Sequence, residues 1–188
     1  MRTLPRIIGL AGKARSGKNT VALHLARRFG YQEVAFADPL KEAARAIFGL
    51  SEEQVRGDLK ELLDPFWGET PLAILQKLGT DCLRNGYASD VWVRALQRRI
   101  SVVRGKVRFV VTDVRFPNEA VALRNWCGEI WQLVRLEGPG AQGGVEGHIS
   151  ENALDDYPQL FHVMISASSG VARWLALVDE ALMSHYGV

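Results

Sequence analysis

Apolar residues fall along this chain in short unbroken runs separated by stretches with helical spacing. The runs at Arg6 to Ala11, Glu33 to Ala37, Val107 to Thr112, Ile130 to Leu136 and His162 to Ser166 read as buried strands. Between them the period changes to that of a helix. Thr20 to Ala26 leaves the first strand as a helix, and Ser51 with Gln54 offers a capping box. Thr70-Pro71 places a cap before a proline at the first helical position. Leu72, Leu75, Leu78 and Cys82 then repeat as a core-facing stripe, and Leu175, Val178 and Leu182 do so in a last helix over Val171 to Met183. Strands alternating with helices predict an α/β fold: a central parallel sheet of about five strands flanked by helices, with ligands above the carboxyl ends of the strands.

At 188 residues the chain is read as one domain, large enough to bury about 70 per cent of the surface its unfolded form exposes. Net charge is +2 and pI near 8.6, too balanced for a dedicated nucleic-acid binder. Cys82 and Cys127 are far apart and give neither a zinc motif nor a disulfide framework. Arg2 and Arg6 interrupt any N-terminal apolar segment. A soluble cytoplasmic protein without membrane or direct nucleic-acid partners is expected.

Gly12-Lys13-Ala14-Arg15-Ser16-Gly17-Lys18, between the first strand and its helix, is the pattern of a P-loop for a nucleoside triphosphate. Glycines let backbone N–H groups close around phosphates, Lys18 adds a point charge at the β/γ oxygens, and the helix turns its positive end toward them. Asn19 stands where the pattern has Ser or Thr to meet Mg²⁺. Thr20 is one place later and, rotated by about 100 degrees, cannot take over that position. Asn19 can offer its amide oxygen to the metal or help cap the helix.

Asp113, after the apolar run Phe109 to Thr112, is a second candidate for the metal. Val114 follows it where many water-activating ATPases carry another carboxylate, which disfavours a hydrolase, and no Asn-Lys-x-Asp guanine-reading sequence is present. A kinase acting on a phosphate acceptor needs charge neutralisation rather than a base. Each like-charge pair at 4 Å costs about 4 kcal/mol at an effective dielectric of 20, and arginine forks meet that need. Arg15, Arg84, Arg115 and Arg135 are the candidates, Arg115 and Arg135 by their places at strand carboxyl ends.

The ordered series Gly12 to Thr20, Phe36-Ala37-Asp38-Pro39-Leu40-Lys41, Leu75-Gln76-Lys77-Leu78-Gly79-Thr80 with Arg84, Asp90-Val91-Trp92, Asp113 to Glu119 and His148-Ile149-Ser150-Glu151-Asn152 resembles the deoxynucleoside monophosphate kinases encoded by tailed bacteriophages. Asn19 departs from the aspartate common there. The resemblance implies the nucleoside monophosphate kinase type of P-loop fold, with an acceptor-binding helical segment at about 38–103 and a lid at about 136–150, in the Gly-rich stretch. It implies ATP as donor, Mg²⁺ as cofactor and a deoxynucleoside monophosphate as acceptor, for DNA precursor synthesis in a host cytoplasm. Homodimerisation is left open.

Gly12 to Thr20 would hold ATP, with Lys18, Arg15, Arg115 and Arg135 catalytic and Asp113 and Asn19 at the metal. Asp38, Lys41, Gln76, Thr80, Arg84, Trp92, Arg115, His148, Glu151 and Asn152 would contact the acceptor. The residues alone also allow a helix cap and a solvated lysine for Asp38 and Lys41, a solvated polar row for Gln76, Thr80 and Arg84, and a core place for Trp92. His148 can contact phosphate or fix a closed lid, Ser150 can cap a short helix, and His162 and His185 read as structural. The rival functions are another small-molecule P-loop kinase of the phosphomevalonate kinase kind, an ATPase or regulatory module, and a nucleotide-binding module without catalysis.

Overall fold

The computed structural model describes residues 3–103, 106–135, 152–167 and 170–187. The chain divides into two compact units, one formed by Met1–Ala35 with Val103–Val188 and the other by Phe36–Val102.

The first unit carries the sheet. Strands β1 (Ile7–Ala11), β2 (Tyr31–Val34), β3 (Arg108–Val114), β4 (Glu129–Arg135) and β5 (Val163–Ala167) lie in the order β2-β3-β1-β4-β5, and every pairing is parallel. Strand β1 is buried along its whole length, as a central strand covered on both faces must be. Helices α1 (Lys18–Phe29) and α7 (Val171–Tyr186) supply Val21, Ala22, Leu25, Trp174, Val178, Leu182 and Tyr186 to a core with Ile8, Leu10, Val110, Trp131 and Leu133 of the sheet. Helix α6 (Pro117–Asn125) brings Leu123 toward Gly9, where a Cβ would lie 2.7 Å from the Leu123 side chain.

Strand β2 begins earlier than its apolar run suggested. Gly30 ends α1 in the left-handed conformation, so Tyr31 enters the sheet at once, paired with Arg108. Ala35 to Ala37 lie outside the strand and lead into the helix that starts at Asp38. In α7 the buried row is Trp174, Val178, Leu182 and Tyr186, so the expected Leu175 yields its place to Trp174.

The second unit is helical. It contains α2 (Asp38–Phe48), α3 (Glu52–Arg56), a 3₁₀ turn (Asp58–Glu61), α4 (Pro71–Gln76), a π-helix (Lys77–Asn85) and α5 (Val91–Ser101). Both anticipated caps are present. Ser51 Oγ accepts from Gln54 N at 3.2 Å while Gln54 Oε1 accepts from Ser51 N at 2.9 Å, and Thr70 Oγ1 accepts from Ala73 N at 3.1 Å. Ala44, Leu50, Val55, Ile74 and Leu75 form a small core, with Leu40, Phe48 and Leu78 packed on it.

The expected stripe does not continue to Cys82, which is exposed. After Gln76 the helix widens to π geometry, so positions chosen for an α period drift off the apolar face. Gly79 is the buried residue there, and a Cβ on it would lie 2.6 Å from Leu40 Cδ2. Among the described residues, no helix is long and apolar enough to cross a membrane.

Candidate active site

Chain connections run from β1 to β2 on one side and from β3 across to β4 on the other, so the carboxyl end of β1 is a topological switch point, where open α/β sheets bind ligands. The P-loop starts there. Gly12 has φ +141°, and a Cβ on it would collide with the backbone carbonyl oxygen of Leu133. Glycine is needed at this position because the loop passes directly over β4.

Gly17, with φ +97°, is the N-cap of α1. Asn19 is therefore not the cap but the second helical residue, and it is exposed. The helix has neither a side-chain cap nor an acidic residue in its first turn, so no carboxylate of that turn competes for its positive end. Lys18 Nζ donates to the carbonyl oxygens of Gly12 and Lys13, both at 2.7 Å, and lies 3.4 Å from Ser16 Oγ. Those are neutral acceptors, which phosphate oxygens surpass as partners for an ammonium. Arg15, at φ +60°, is an exposed non-glycine residue in the left-handed region. Ser16 is buried, and its N–H donates to Lys13 O at 3.2 Å.

Strand β3 continues past its apolar run, so Asp113 lies inside the strand rather than at its end. Gly9 faces Val111 and Ala11 faces Val114, an offset that leaves one more residue on β3 than on β1. This irregularity falls at Thr112 and Asp113, beside the start of the P-loop, and bulges at such places re-aim a side chain. The next turn is clamped by Glu119, which is 2 % exposed. Its Oε2 accepts from the N–H groups of Arg115 and Phe116 at 2.9 and 3.0 Å. Glu119 thereby fixes the backbone carrying Arg115, a role the sequence reading did not assign it.

Lys13 Nζ donates to Asn152 Oδ1 at 2.6 Å and to Asp155 Oδ2 and Oδ1 at 2.7 and 3.0 Å. Asn152, expected at the acceptor, contacts Lys13 of the P-loop. Asp155 carried no motif and was missed. Arg135 ends β4, three residues past Gln132, the partner of Ala11; its side chain, and the whole of the expected lid with His148, Ser150 and Glu151, lie outside the described residues. His162 Nδ1 accepts from Ile130 N at 3.0 Å, a structural place, while His185 Nδ1 lies 2.9 Å from Ala181 O.

In the second unit Asp38 is the first residue of α2, and Ala37 is the N-cap. The buried Asp38 carboxylate accepts instead from Arg56 Nη1 at 2.8 Å, with Arg99 Nη1 3.8 Å from its other oxygen and 3.2 Å from Glu42. Partial burial would lower the Arg56 pKa, but its hydrogen bond to Asp38 and the charges of Asp38, Glu52 and Glu42 outweigh that and raise it. Neither arginine was singled out by sequence.

Gln76, Thr80 and Arg84 are half-buried where α4 passes into the π-helix, and Lys41 is half-buried on α2. Arg84 Nη1 donates to Ser89 O at 3.2 Å. Trp92 is buried and its indole N–H donates to Gly79 O at 3.1 Å, which gives it a packing role in this unit.

No family model matches the chain. A protein of Acanthamoeba polyphaga mimivirus named "Putative deoxynucleotide monophosphate kinase" is 37 % identical over 147 residues, covering 71 % of this chain and 75 % of that one. Among solved structures, TT1252 from Thermus thermophilus matches at 18 % identity and TM-score 0.51, over 98 % of this chain and 99 % of its own. Dephospho-CoA kinase from Campylobacter jejuni matches at 13 % identity and shikimate kinase from Aquifex aeolicus vf5 at 14 %, each with TM-score 0.50 over 95 % of this chain and 96 % of its own. These structural likenesses establish the P-loop kinase fold. The viral relative, named as a kinase, makes the protein an ATP-dependent phosphotransferase acting on a small molecule. By its identity to the viral protein, the chain belongs to the deoxynucleotide monophosphate kinase family.

Proposed function

We propose that the protein transfers the γ-phosphoryl group of ATP to the 5′-phosphate of a deoxynucleoside monophosphate, giving ADP and the diphosphate for DNA precursor synthesis. The observation that carries the acceptor assignment is the 37 % identity to the mimivirus protein. The series of motifs resembling phage enzymes runs in the same direction, and a role in an infected host's cytoplasm goes with it.

The P-loop amides and Lys18 hold the donor. Lys18 exchanges two loop carbonyls for β/γ oxygens, a charge-assisted gain that favours the bound triphosphate. Arg15, Arg115 and Arg135 offset charge on the moving phosphoryl group, whose acceptor oxygen is already ionised and needs no base. In the second unit Lys41, Gln76, Thr80 and Arg84 contact the acceptor, and Asp38 contributes by holding Arg56.

Asp113 and Asn19 offer a carboxylate and an amide oxygen, hard donors that suit Mg²⁺. Among the described residues no group of three or more His, Cys, Asp or Glu forms a metal cluster. Mg²⁺ commonly keeps waters and phosphate oxygens and takes one or two protein ligands, the number that Asp113 and Asn19 would supply. Bound with ATP, Mg²⁺ neutralises charge on the β- and γ-phosphates.

ADP release from Mg-ATP is the deciding measurement, made with no acceptor, with each deoxynucleoside and ribonucleoside monophosphate, and with phosphomevalonate. ADP formed in equal amount with a deoxynucleoside diphosphate supports the assignment, and Lys18→Ala is expected to abolish it in a folded protein. Turnover with phosphomevalonate alone, or without any acceptor, would replace it.

A further inference from the structure

Asp155 is joined to the P-loop by chemistry that no motif announces. The Lys13 ammonium sits among three oxygens, Asn152 Oδ1 at 2.6 Å and the two of Asp155 at 2.7 and 3.0 Å. The residues are 139 and 142 positions apart in sequence from Lys13, and both belong to the turn that precedes β5. The Asp155 side chain is 54 % exposed, but contact with both of its carboxylate oxygens and an amide oxygen fixes the end of the lysine more closely than one oxygen would.

The consequence lies in what Lys18 does. It now donates to the carbonyls of Gly12 and Lys13, so its ammonium braces a loop containing Gly12 at φ +141° and Arg15 at φ +60°. Such conformations persist only when their surroundings hold them. When Lys18 turns to the β/γ oxygens of a triphosphate, Gly12 and Lys13 lose that brace. The side chain of Lys13, fastened to Asp155 and Asn152, still holds one of those two residues.

We propose that Asp155, assisted by Asn152, is a positioning residue that anchors the P-loop through Lys13, keeping its phosphate-cradling shape while Lys18 moves from loop carbonyls to the triphosphate. The inference requires only the phosphotransferase activity and is independent of which acceptor is used. Its rivals predict the opposite sign. If the Asp155 carboxylate acts merely as a negative charge near a polyanion, removing it strengthens ATP binding. If it withholds Lys13 from the phosphates, removing it also strengthens binding.

Affinity for a non-hydrolysable ATP analogue, measured by titration calorimetry on the full chain, separates these cases. Asp155→Ala and Lys13→Met are each expected to weaken binding about three- to tenfold, and the double variant no further than the weaker single one. Asp155→Glu should recover part of the loss. KM for ATP should rise in Asp155→Ala with kcat nearly unchanged. Tighter or unchanged binding in Asp155→Ala would overturn the proposal. So would additive losses in the double variant, or a lowered melting temperature without any change in affinity.

Discussion

Glu119 shows how one buried side chain can hold the backbone of the turn before it. It is the third residue of α6, after Pro117 at the first, and its carboxylate reaches back to the N–H groups of Arg115 and Phe116. An acidic group there satisfies orphan donors and lies at the positive end of the helix. Glu119→Ala leaves two partly buried N–H groups without this acceptor and is expected to cost about 2–3 kcal/mol. Glu119→Gln keeps one oxygen and should cost about half as much. Urea unfolding checks both. Turnover measured well below the unfolding midpoint should fall more in Glu119→Ala, because the backbone of Arg115 loses its clamp; equal turnover in the two variants would confine Glu119 to stability. At this scale the P-loop was legible, since the left-handed Gly17 and the tight Gly12 follow from local backbone rules. The partners of Lys13 and Asp38 were not, because Asp155, Arg56 and Arg99 are brought to them by tertiary folding.

Elements were read correctly where burial alone sets the pattern and missed where geometry changes the period. All five strands were anticipated, but β2 was displaced because the C-cap at Gly30 determines where it starts. The row toward Cys82 failed because Lys77–Asn85 adopts π geometry, which an apolar repeat does not encode. Strands β4 and β5 offer a test of a different kind. Ile130 N donates to His162 Nδ1, so that nitrogen must lack a proton. Partial burial, and then the nearby Arg124 charge, lower the His162 pKa from its ordinary 6.5, with Glu129 opposing weakly. The unfolded chain therefore binds more protons in the window between the lowered native value and 6.5, and stability there rises with pH. The contribution is complete above 6.5 and is lost as pH falls through the native value. Urea midpoints from pH 7.5 down to 5 should drop more steeply for the native sequence than for His162→Gln, whose amide oxygen accepts the same bond without titrating. Parallel pH profiles would remove His162 as the cause.

The proposed donor and acceptor residues fall in different units, and that proposed division can be tested without assuming how the units are arranged. The triphosphate loop, Asp113 and Arg115 belong to the sheet-bearing unit, while Gln76, Thr80, Arg84 and Lys41 belong to the helical one. Hydrogen exchange follows local opening and distinguishes the two. An ATP analogue should slow exchange at 12–20 and 113–116, where P-loop amides and the Glu119-held turn lie. A deoxynucleoside monophosphate should slow it at 76–92, by about tenfold if binding adds roughly 1.4 kcal/mol to the local stability. The contrast should be sharpest in the π-helix, whose hydrogen-bonding pattern is rare in proteins and whose buried residue, Gly79, has no side chain to pack. Ligand contacts from Thr80 and Arg84 would then add to the support that the small core of Ala44, Leu50, Val55, Ile74 and Leu75 gives through Leu78. Protection by the monophosphate confined to the sheet-bearing unit would remove the acceptor site from residues 36–102 and leave that unit a purely structural part of the kinase.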